Sequence, residues 1–137
     1  MNQDVGLMIG ELAKLTGVTA ETIRYYEREK VIPRPKRVGS GKYRRYEQSD
    51  ADRLRFVKRA RNLGFSLEDV RELLLLAESN PAKPCGNVNE IARSHIAAVD
   101  EKISRLTLLR AELAQLTDEC DPNAAIANCR LLSALNQ

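Results

Sequence analysis

The chain has 137 residues, of which 43% are hydrophobic and 30% are charged, a composition that suits a folded protein with one small core and an appendage and excludes an intrinsically disordered chain. No stretch approaches about 18 consecutive apolar residues, so we expect no signal peptide, no membrane span and a cytoplasmic location. The formal net charge of +3 combines +7 over residues 1–64 (15 Lys/Arg, 8 Asp/Glu) with −4 over residues 65–137 (7 Lys/Arg, 11 Asp/Glu), and the basic half is the candidate nucleic-acid surface unless the charges only keep both halves soluble.

The first predicted elements are two short helices separated by a glycine. Residues 9–15 (IGELAKL) form an amphipathic helix that Gly17 stops, and Thr19 caps a second helix over residues 20–29. This arrangement is a helix-turn-helix, whose second helix enters the major groove of DNA. The exposed candidates for DNA contact are Thr19, Glu21, Arg24 and Tyr25. The residues expected to hold the two helices together are Leu12, Val18, Ile23 and Tyr26.

A basic hairpin is predicted next, over residues 31–46 (VIPRPKRVGSGKYRRY). Two prolines preclude a regular helix, and the Gly-Ser-Gly at residues 39–41 supplies the turn. Its cations and tyrosine hydroxyls suit contact with DNA phosphates, which makes the hairpin a wing beside the helix-turn-helix. The alternative is a solvated basic loop with inward-packed tyrosines, which fits Tyr46 best. The polar residues concerned are Lys36, Arg37, Lys42, Tyr43, Arg44, Arg45 and Tyr46.

A second pair of short helices follows the hairpin. Ser49 or Asp50 is predicted to cap a helix that extends to Asn62, and Ser66 caps another that runs to about residue 78. Prolines then make the segment before Cys85 a linker. On the first helix, the predicted inward residues are Leu54, Val57 and Ala60, and the outward ones are Arg53, Arg55, Lys58, Arg59 and Arg61.

The longest predicted helix covers residues 87–116. Its apolar residues recur three, four or seven positions apart, which is the pattern of a coiled coil. A rod of this length rises about 45 Å, too far for one small domain to cover, so we expect a second copy of the chain to cover it and the protein to be a homodimer. The apolar seam consists of Ile96, Val99, Ile103, Leu106 and Leu113, with Leu109 and Leu116 widening it.

The three cysteines flank this rod, with Cys85 before it and Cys120 and Cys129 after it. The loop CDPNAAIANC returns the last two thiols to one neighbourhood, and Asn128 is predicted to cap a closing helix over residues 130–135, whose first turn favours a thiolate at Cys129. Within one chain the rod keeps the first thiol about 40 Å from the other two. An antiparallel two-fold pairing would instead bring Cys85 of one subunit to Cys120 and Cys129 of the other, giving two symmetric three-thiolate sites.

Three stretches of the sequence resemble the MerR family of metal- and stress-responsive transcription regulators: IGELAKLTGVTAETIRYYERE, GKYRRY and ARNLGFSLEDVREL. The resemblance covers essentially the whole chain. It implies a mainly α fold: a winged helix-turn-helix DNA-binding domain (residues 1–80), a linker and long antiparallel coiled-coil dimerisation helix (81–118), and a short C-terminal metal-binding loop and helix (119–137). It also implies a homodimer that binds a palindromic element in double-stranded promoter DNA, acts on RNA polymerase there, and turns repression into activation when an inducer binds.

The resemblance further implies which residues contact DNA and metal. On the recognition helix these are Arg24 and Tyr25, beside the capping residue Thr19; in the wing they are Tyr43 and Arg44, with Lys42 at a position where several relatives have glycine. Sensors of divalent ions in this family have cysteine at the position of Cys85, whereas sensors of monovalent ions have serine. The cysteine separations of 35 and 9 residues match the mercury-sensing and lead-sensing branches.

Three thiolates form a soft site that suits Hg(II) first, Pb(II) second, and Zn(II) or Cd(II) third, because zinc seeks a fourth ligand. Asp121 is a possible fourth donor, but its neighbour Pro122 favours a role in a turn. No organic cofactor is expected. The main alternative classes are a relative that senses oxidants or drugs and a cysteine enzyme. An enzyme is disfavoured, because the one histidine, His95, lies within the rod, where a surface or seam role is expected, and no other histidine is available as a base.

Overall fold

The computed structural model describes residues 6–38 and 43–137, with side chains described for residues 6–35 and 45–137. The chain divides into two compact units, residues 1–88 and 89–137, which are taken in turn. Helices and strands follow in the order α1 (Ile9–Thr16), α2 (Ala20–Arg28), β1 (Lys36–Val38), β2 (Tyr43–Arg45), α3 (Gln48–Asn62), α4 (Leu67–Ala77), α5 (Gly86–Asp118), a 3-10 turn (Ile126–Asn128) and α6 (Arg130–Leu135).

The predicted helix-turn-helix is confirmed as α1 and α2. Gly17 ends α1 in the left-handed conformation (φ 74°), and its N–H donates to the carbonyl of Ala13 at 2.9 Å. Glycine suits this position because a side chain there would strain the backbone. Thr19 caps α2 as predicted, since its hydroxyl oxygen accepts the N–H of Thr22 at 3.1 Å. The second helix ends at Arg28, one residue earlier than predicted.

The predicted wing is confirmed as an antiparallel hairpin, in which Lys36 pairs with Arg45 and Val38 with Tyr43. Residues 39–42, which include the predicted Gly-Ser-Gly turn and Lys42, lie outside the described residues. Just after β2, Tyr46 forms a bridge with Leu7, in which each N–H donates to the other carbonyl at 2.7 Å. The base of the hairpin is therefore tied to the segment that precedes α1.

The second helix pair is confirmed as α3 and α4, with one predicted cap wrong. Neither Ser49 nor Asp50 caps α3, because the helix already begins at Gln48 with Glu47 at the cap position. Asp50 instead lies at the third helical position, from which its carboxylate accepts the backbone N–H of Glu47 at 2.8 Å. The predicted Ser66 cap of α4 is confirmed by its contact with the N–H of Asp69 at 3.1 Å.

The core of the first unit lies between these helices and the base of the wing. The predicted inward residues of the helix-turn-helix and of α3 are all buried, and four of the five predicted outward cations of α3 are exposed. The fifth, Arg53, is half-buried and donates to Glu78 at the end of α4. Tyr46 is 1% exposed, so the inward alternative is correct for this tyrosine, and its hydroxyl donates to the buried carboxylate of Glu27 on α2.

The second unit consists of most of α5 together with the loop and helix that follow it. Helix α5 covers 33 residues, three more than predicted, and rises about 50 Å. None of its residues is buried, and all five predicted seam residues are exposed. Among the residues described, no helix is both long enough and apolar enough to cross a bilayer.

Candidate DNA-binding face and thiol site

Helix α2 presents the residues that were predicted to be free for DNA. Thr19, Glu21, Arg24 and Tyr25 are all exposed. The Thr19 hydroxyl already has an intrahelical role, because it accepts the Thr22 N–H and also donates to the Thr22 hydroxyl at 2.8 Å. The Thr19 hydroxyl therefore stabilises the start of α2 whether or not it also contacts DNA.

Arg28 is a further cation on this helix that the sequence interpretation left out. It is exposed, and its guanidinium lies 6.0 Å from the centre of the Tyr25 ring. It stands four residues after Arg24, and residues four apart share one face of a helix. That spacing is the signal that identifies it as a candidate beside Arg24 and Tyr25.

The wing places the predicted contacts Tyr43 and Arg44 in strand β2, opposite Val38 and Arg37. Lys42 lies outside the described residues. The hairpin therefore brings a run of basic sequence positions together on two paired strands beside the helix-turn-helix. Such a combination of a helix and a basic hairpin is the arrangement that a winged helix-turn-helix uses to contact a groove and its phosphates.

Two cations of α3 support the turn between α1 and α2. Lys58 donates to the carbonyl of Gly17 at 3.3 Å, and Arg55 donates to the carbonyl of Leu15 at 3.4 Å. The carbonyls at the end of α1 have no partners within that helix, and positive charge complements the partial negative charge there. These two side chains therefore help to fix the helix-turn-helix as well as contributing to the positive field of this unit.

In the second unit, the loop after α5 brings Cys120 and Cys129 together as predicted. Cys120 follows the end of α5, and the chain then turns at Asp121, whose carboxylate accepts the N–H of Asn123 at 2.9 Å. The predicted turn role of Asp121 is thus confirmed. The two thiols, named here the thiol pair, are close enough for each to shift the pKa of the other, and both are half-buried.

The cap of α6 differs from the prediction. Asn128 belongs to a 3-10 turn over Ile126–Asn128, so its backbone is already helical and Cys129 itself takes the extended cap position. Cys129 therefore lies at the N-cap of α6 rather than within its first turn.

The pKa values of the two thiols are shifted in opposite directions. The backbone N–H of Leu132, followed by that of Leu131 and the thiol of Cys120, lowers the pKa of Cys129 in spite of its partial desolvation. Desolvation, followed by the charge and hydrogen bond of Cys129 and the charge of Asp121, raises the pKa of Cys120. Cys129 is therefore the thiol of the pair that ionises more readily.

The third predicted ligand, Cys85, is exposed and directly precedes α5 in the first unit. Among the residues that the structure describes, no group of three or more His, Cys, Asp or Glu side chains is arranged to hold a metal ion. His95 lies part-buried on α5. Among the described residues, the two neighbouring thiols of Cys120 and Cys129 thus form a pair and belong to no group of three ligands.

Comparison with known proteins gives close matches over nearly the whole chain. The HTH-type transcriptional regulator ZntR of Escherichia coli is 38% identical over 130 residues, which is 94% of this chain and 92% of that protein. The mercuric resistance operon regulatory protein of Bacillus cereus is 39% identical over 127 residues, or 93% and 95%. A transcription regulator from Ralstonia metallidurans, solved in complex with lead(II), is 36% identical with a TM-score of 0.79 and coverage of 94% and 98%.

A dual function transcriptional regulator from Bacillus megaterium, solved in complex with mercury(II), is 33% identical with a TM-score of 0.69, over 96% of this chain and 100% of that one. Family models match as well: one described as MerR HTH family regulatory protein covers residues 7–76, and one described as MerR, DNA binding covers residues 51–116. Together with the winged helix-turn-helix and the long helix that follows it in the chain, these matches establish that the chain belongs to the MerR family of helix-turn-helix regulatory proteins.

Proposed function

We propose that this protein is a metal-responsive transcriptional regulator that activates heavy-metal resistance genes when Hg(II) binds to Cys85, Cys120 and Cys129. The observation that carries the proposal is the thiol pair, which converges at the cap of α6 in a chain whose other unit is a winged helix-turn-helix. Relatives named mercuric resistance operon regulatory proteins, from Bacillus cereus and Serratia marcescens, support the mercury assignment. The protein acts as a regulator and not as an enzyme.

Promoter DNA is bound through the first unit. Arg24 and Tyr25, with the capping residue Thr19, contact the major groove from α2, because these side chains are exposed on one helix of a helix-turn-helix. The wing positions Lys42, Tyr43 and Arg44 add phosphate contacts. RNA polymerase is the partner at the same promoter. Residues 1–80 form the DNA-binding domain, 81–118 the linker and dimerisation helix, and 119–137 the metal-binding segment.

The protein works as a homodimer whose seam is α5. Ile96, Val99, Ile103, Leu106 and Leu113 are all exposed in the single chain. A row of large apolar side chains along one long helix marks an association surface, and a second copy of the same helix, packed antiparallel, covers it with the matching pattern.

Each metal site is completed across the dimer, by the thiol pair of one subunit and Cys85 of the partner subunit. This sharing is supported by the sequence, because the 33 residues of α5 separate Cys85 from Cys120 and Cys129 in the chain. The donors fit a soft cation, because the thiolate is the metal-binding form and the start of α6 favours it at Cys129. Binding then pulls the C-terminal loop onto the partner's linker, which leads directly to the DNA-binding unit.

Three soft donors favour Hg(II), which accepts trigonal coordination, over Zn(II), which seeks a fourth ligand. Asp121, the possible fourth donor, already accepts the N–H of Asn123 in its turn. Pb(II) is the second candidate, favoured by the lead(II)-bound relative. Zn(II) or Cd(II) is third, with the ZntR relative in its favour.

A promoter-reporter assay with Hg(II), Pb(II), Cd(II) and Zn(II) tests the metal assignment. We expect Hg(II) to raise transcription at the lowest free concentration and Cys85→Ala to abolish the response. Ser104→Ala, a substitution on α5 that removes no thiol, is the matched control and should respond like the wild type. A rise with Zn(II) together with no change with Hg(II) would contradict the proposal.

A further inference from the structure

An arginine from α4 holds the end of the recognition helix α2. The Arg71 guanidinium donates to the backbone carbonyl of Glu29 from both Nε (2.9 Å) and Nη2 (2.7 Å). Nη2 also lies 3.3 Å from the Glu29 carboxylate. The two residues are 42 positions apart in the sequence, so this is a tertiary contact between two helices and not a local turn.

The chain reverses direction at this point, which gives the contact its importance. Glu29 caps the end of α2, Lys30 takes a left-handed conformation with φ 59°, and the Val31 N–H returns to the carbonyl of Tyr26 at 2.9 Å. The carbonyls at the end of a helix lack partners within it and carry partial negative charge, so a guanidinium is a well-matched partner. Val31 and Ile32 are then buried, which fixes the reversal to the core.

We propose that Arg71 is a positioning residue for DNA recognition, because its guanidinium fixes the end of α2 against α4 and thereby sets the angle at which α2 presents Arg24 and Tyr25. The inference rests on the proposed DNA-binding function. Two of its nitrogens are committed to Glu29, so Arg71 acts through α2. Residues 78–85 connect α4 to Cys85, so α4 is the helix next to the metal-binding linker in the chain. Through the contact of Arg71 with Glu29, the orientation of α2 then depends on α4.

Arg53 provides a matched comparison. It lines the same open groove of about 620 Å³ as Arg71 and also pairs with a glutamate, but its described hydrogen bond and ion pair are with Glu78. Removing either guanidinium changes the charge of this groove equally. Because the hydrogen bonds of Arg71 reach the end of α2 and that of Arg53 reaches Glu78, the loss of Arg71 should release this end and the loss of Arg53 should not.

The experiment measures binding of the full-length protein to two duplexes over a range of salt concentrations. One duplex is enriched by the wild-type protein from a random-sequence library, and the other has the same composition in shuffled order. For Arg71→Met we expect affinity for the enriched duplex to fall about tenfold, the loss of a charge-assisted contact, with little change for the shuffled duplex and an unchanged salt slope. Arg71→Lys keeps the charge but lacks the planar guanidinium, so its affinity for the enriched duplex should lie between those of Arg71→Met and the wild type. Arg53→Met should keep the wild-type ratio of the two affinities.

A double-mutant cycle identifies the route of the effect. Arg71→Met and Arg24→Ala should be non-additive, because both act through α2, whereas Arg71→Met and Arg44→Ala should be additive. An unchanged ratio of affinities, or additivity with Arg24→Ala, overturns the proposal. A reduced salt slope with equal losses on both duplexes would make Arg71 a phosphate contact instead, and also overturns it.

Two further measurements keep the test decisive. If Arg71→Met does not fold, as judged by its thermal transition, Arg71→Lys carries the comparison on the same ratio. If the wild type enriches no sequence, the proposed function fails, and hydrogen exchange at residues 30–32 of the free protein then tests the contact by itself. Faster exchange at residues 30–32 in Arg71→Lys than in Arg53→Lys supports the part of the proposal in which Arg71 fixes the end of α2, and equal exchange contradicts it.

Discussion

Placing two aspartates in the α5 seam should separate the subunits. Ile103 and Leu106 are 55% and 64% exposed in the single chain. Full burial of such a side chain is worth about 1.5–3 kcal/mol, so their exposed fractions leave about 1–2 kcal/mol each to be gained on association. A symmetric dimer contains four of these side chains, which together contribute about 4–8 kcal/mol. Ile103→Asp with Leu106→Asp should therefore weaken dimerisation by at least about a thousandfold.

Sedimentation velocity at micromolar concentration measures this directly, and a gel shift on the same samples reports DNA binding. We expect the double variant to sediment as a monomer and to lose its DNA complex, because a single DNA-binding unit cannot span a palindrome. Leu108→Asp is the control: this leucine is 72% exposed, but its position in the helical repeat puts it on the opposite face from the seam. An intact dimer in the double variant would refute the assignment of the seam.

Three further predictions concern the wing, the buried tyrosine and the thiol pair. Arg44→Ala should weaken binding to every duplex and reduce the salt slope by about one, because one fewer phosphate is neutralised; an unchanged slope in a gel-shift series would exclude the phosphate role. Tyr46→Phe should lower the free energy of unfolding by about 1–3 kcal/mol, since it removes a hydroxyl donor from the buried Glu27 carboxylate, and equal urea midpoints would contradict this. In the metal-free protein, iodoacetamide should modify Cys129 at lower pH than Cys120, because the N–H groups of α6 lower the pKa of the first and desolvation raises that of the second; identical pH profiles by peptide mass spectrometry would contradict the assignment.

The helix boundaries that depend on local chemistry could be predicted from the sequence. Thr19 and Ser66 cap their helices because a hydroxyl reaches an N–H three residues on, which is visible in any sequence. The cap of α3 could not be predicted in this way, because Asp50 can act either as a cap or from the third helical position. In the structure it takes the second role, in which its carboxylate accepts the N–H of Glu47. Periodicity likewise predicted the buried residues of α3, because one face of that helix packs on the core.

In the candidate site too, some features could be predicted from local sequence and others could not. The spacing and turn residues of the loop predicted that Cys120 and Cys129 share one neighbourhood, and each of these thiols does shift the pKa of the other. Sequence alone placed Cys129 one residue too far into α6, because Asn128, the expected cap, belongs to a 3-10 turn that the sequence analysis did not predict. The contact of Arg71 with Glu29 has no local signal, since it joins two helices that are distant in the sequence.

A mixed dimer tests the shared three-thiolate site most directly. One subunit carries Cys85→Ala alone, and the other carries Cys120→Ala together with Cys129→Ala, so neither homodimer can assemble a complete site whereas the heterodimer retains one. Native mass spectrometry in the presence of a competing dithiol should detect one tightly held Hg(II) in the heterodimer and none in either homodimer. A heterodimer that holds no Hg(II), or a homodimer that holds it as tightly as the wild type, would contradict a site built across the two subunits.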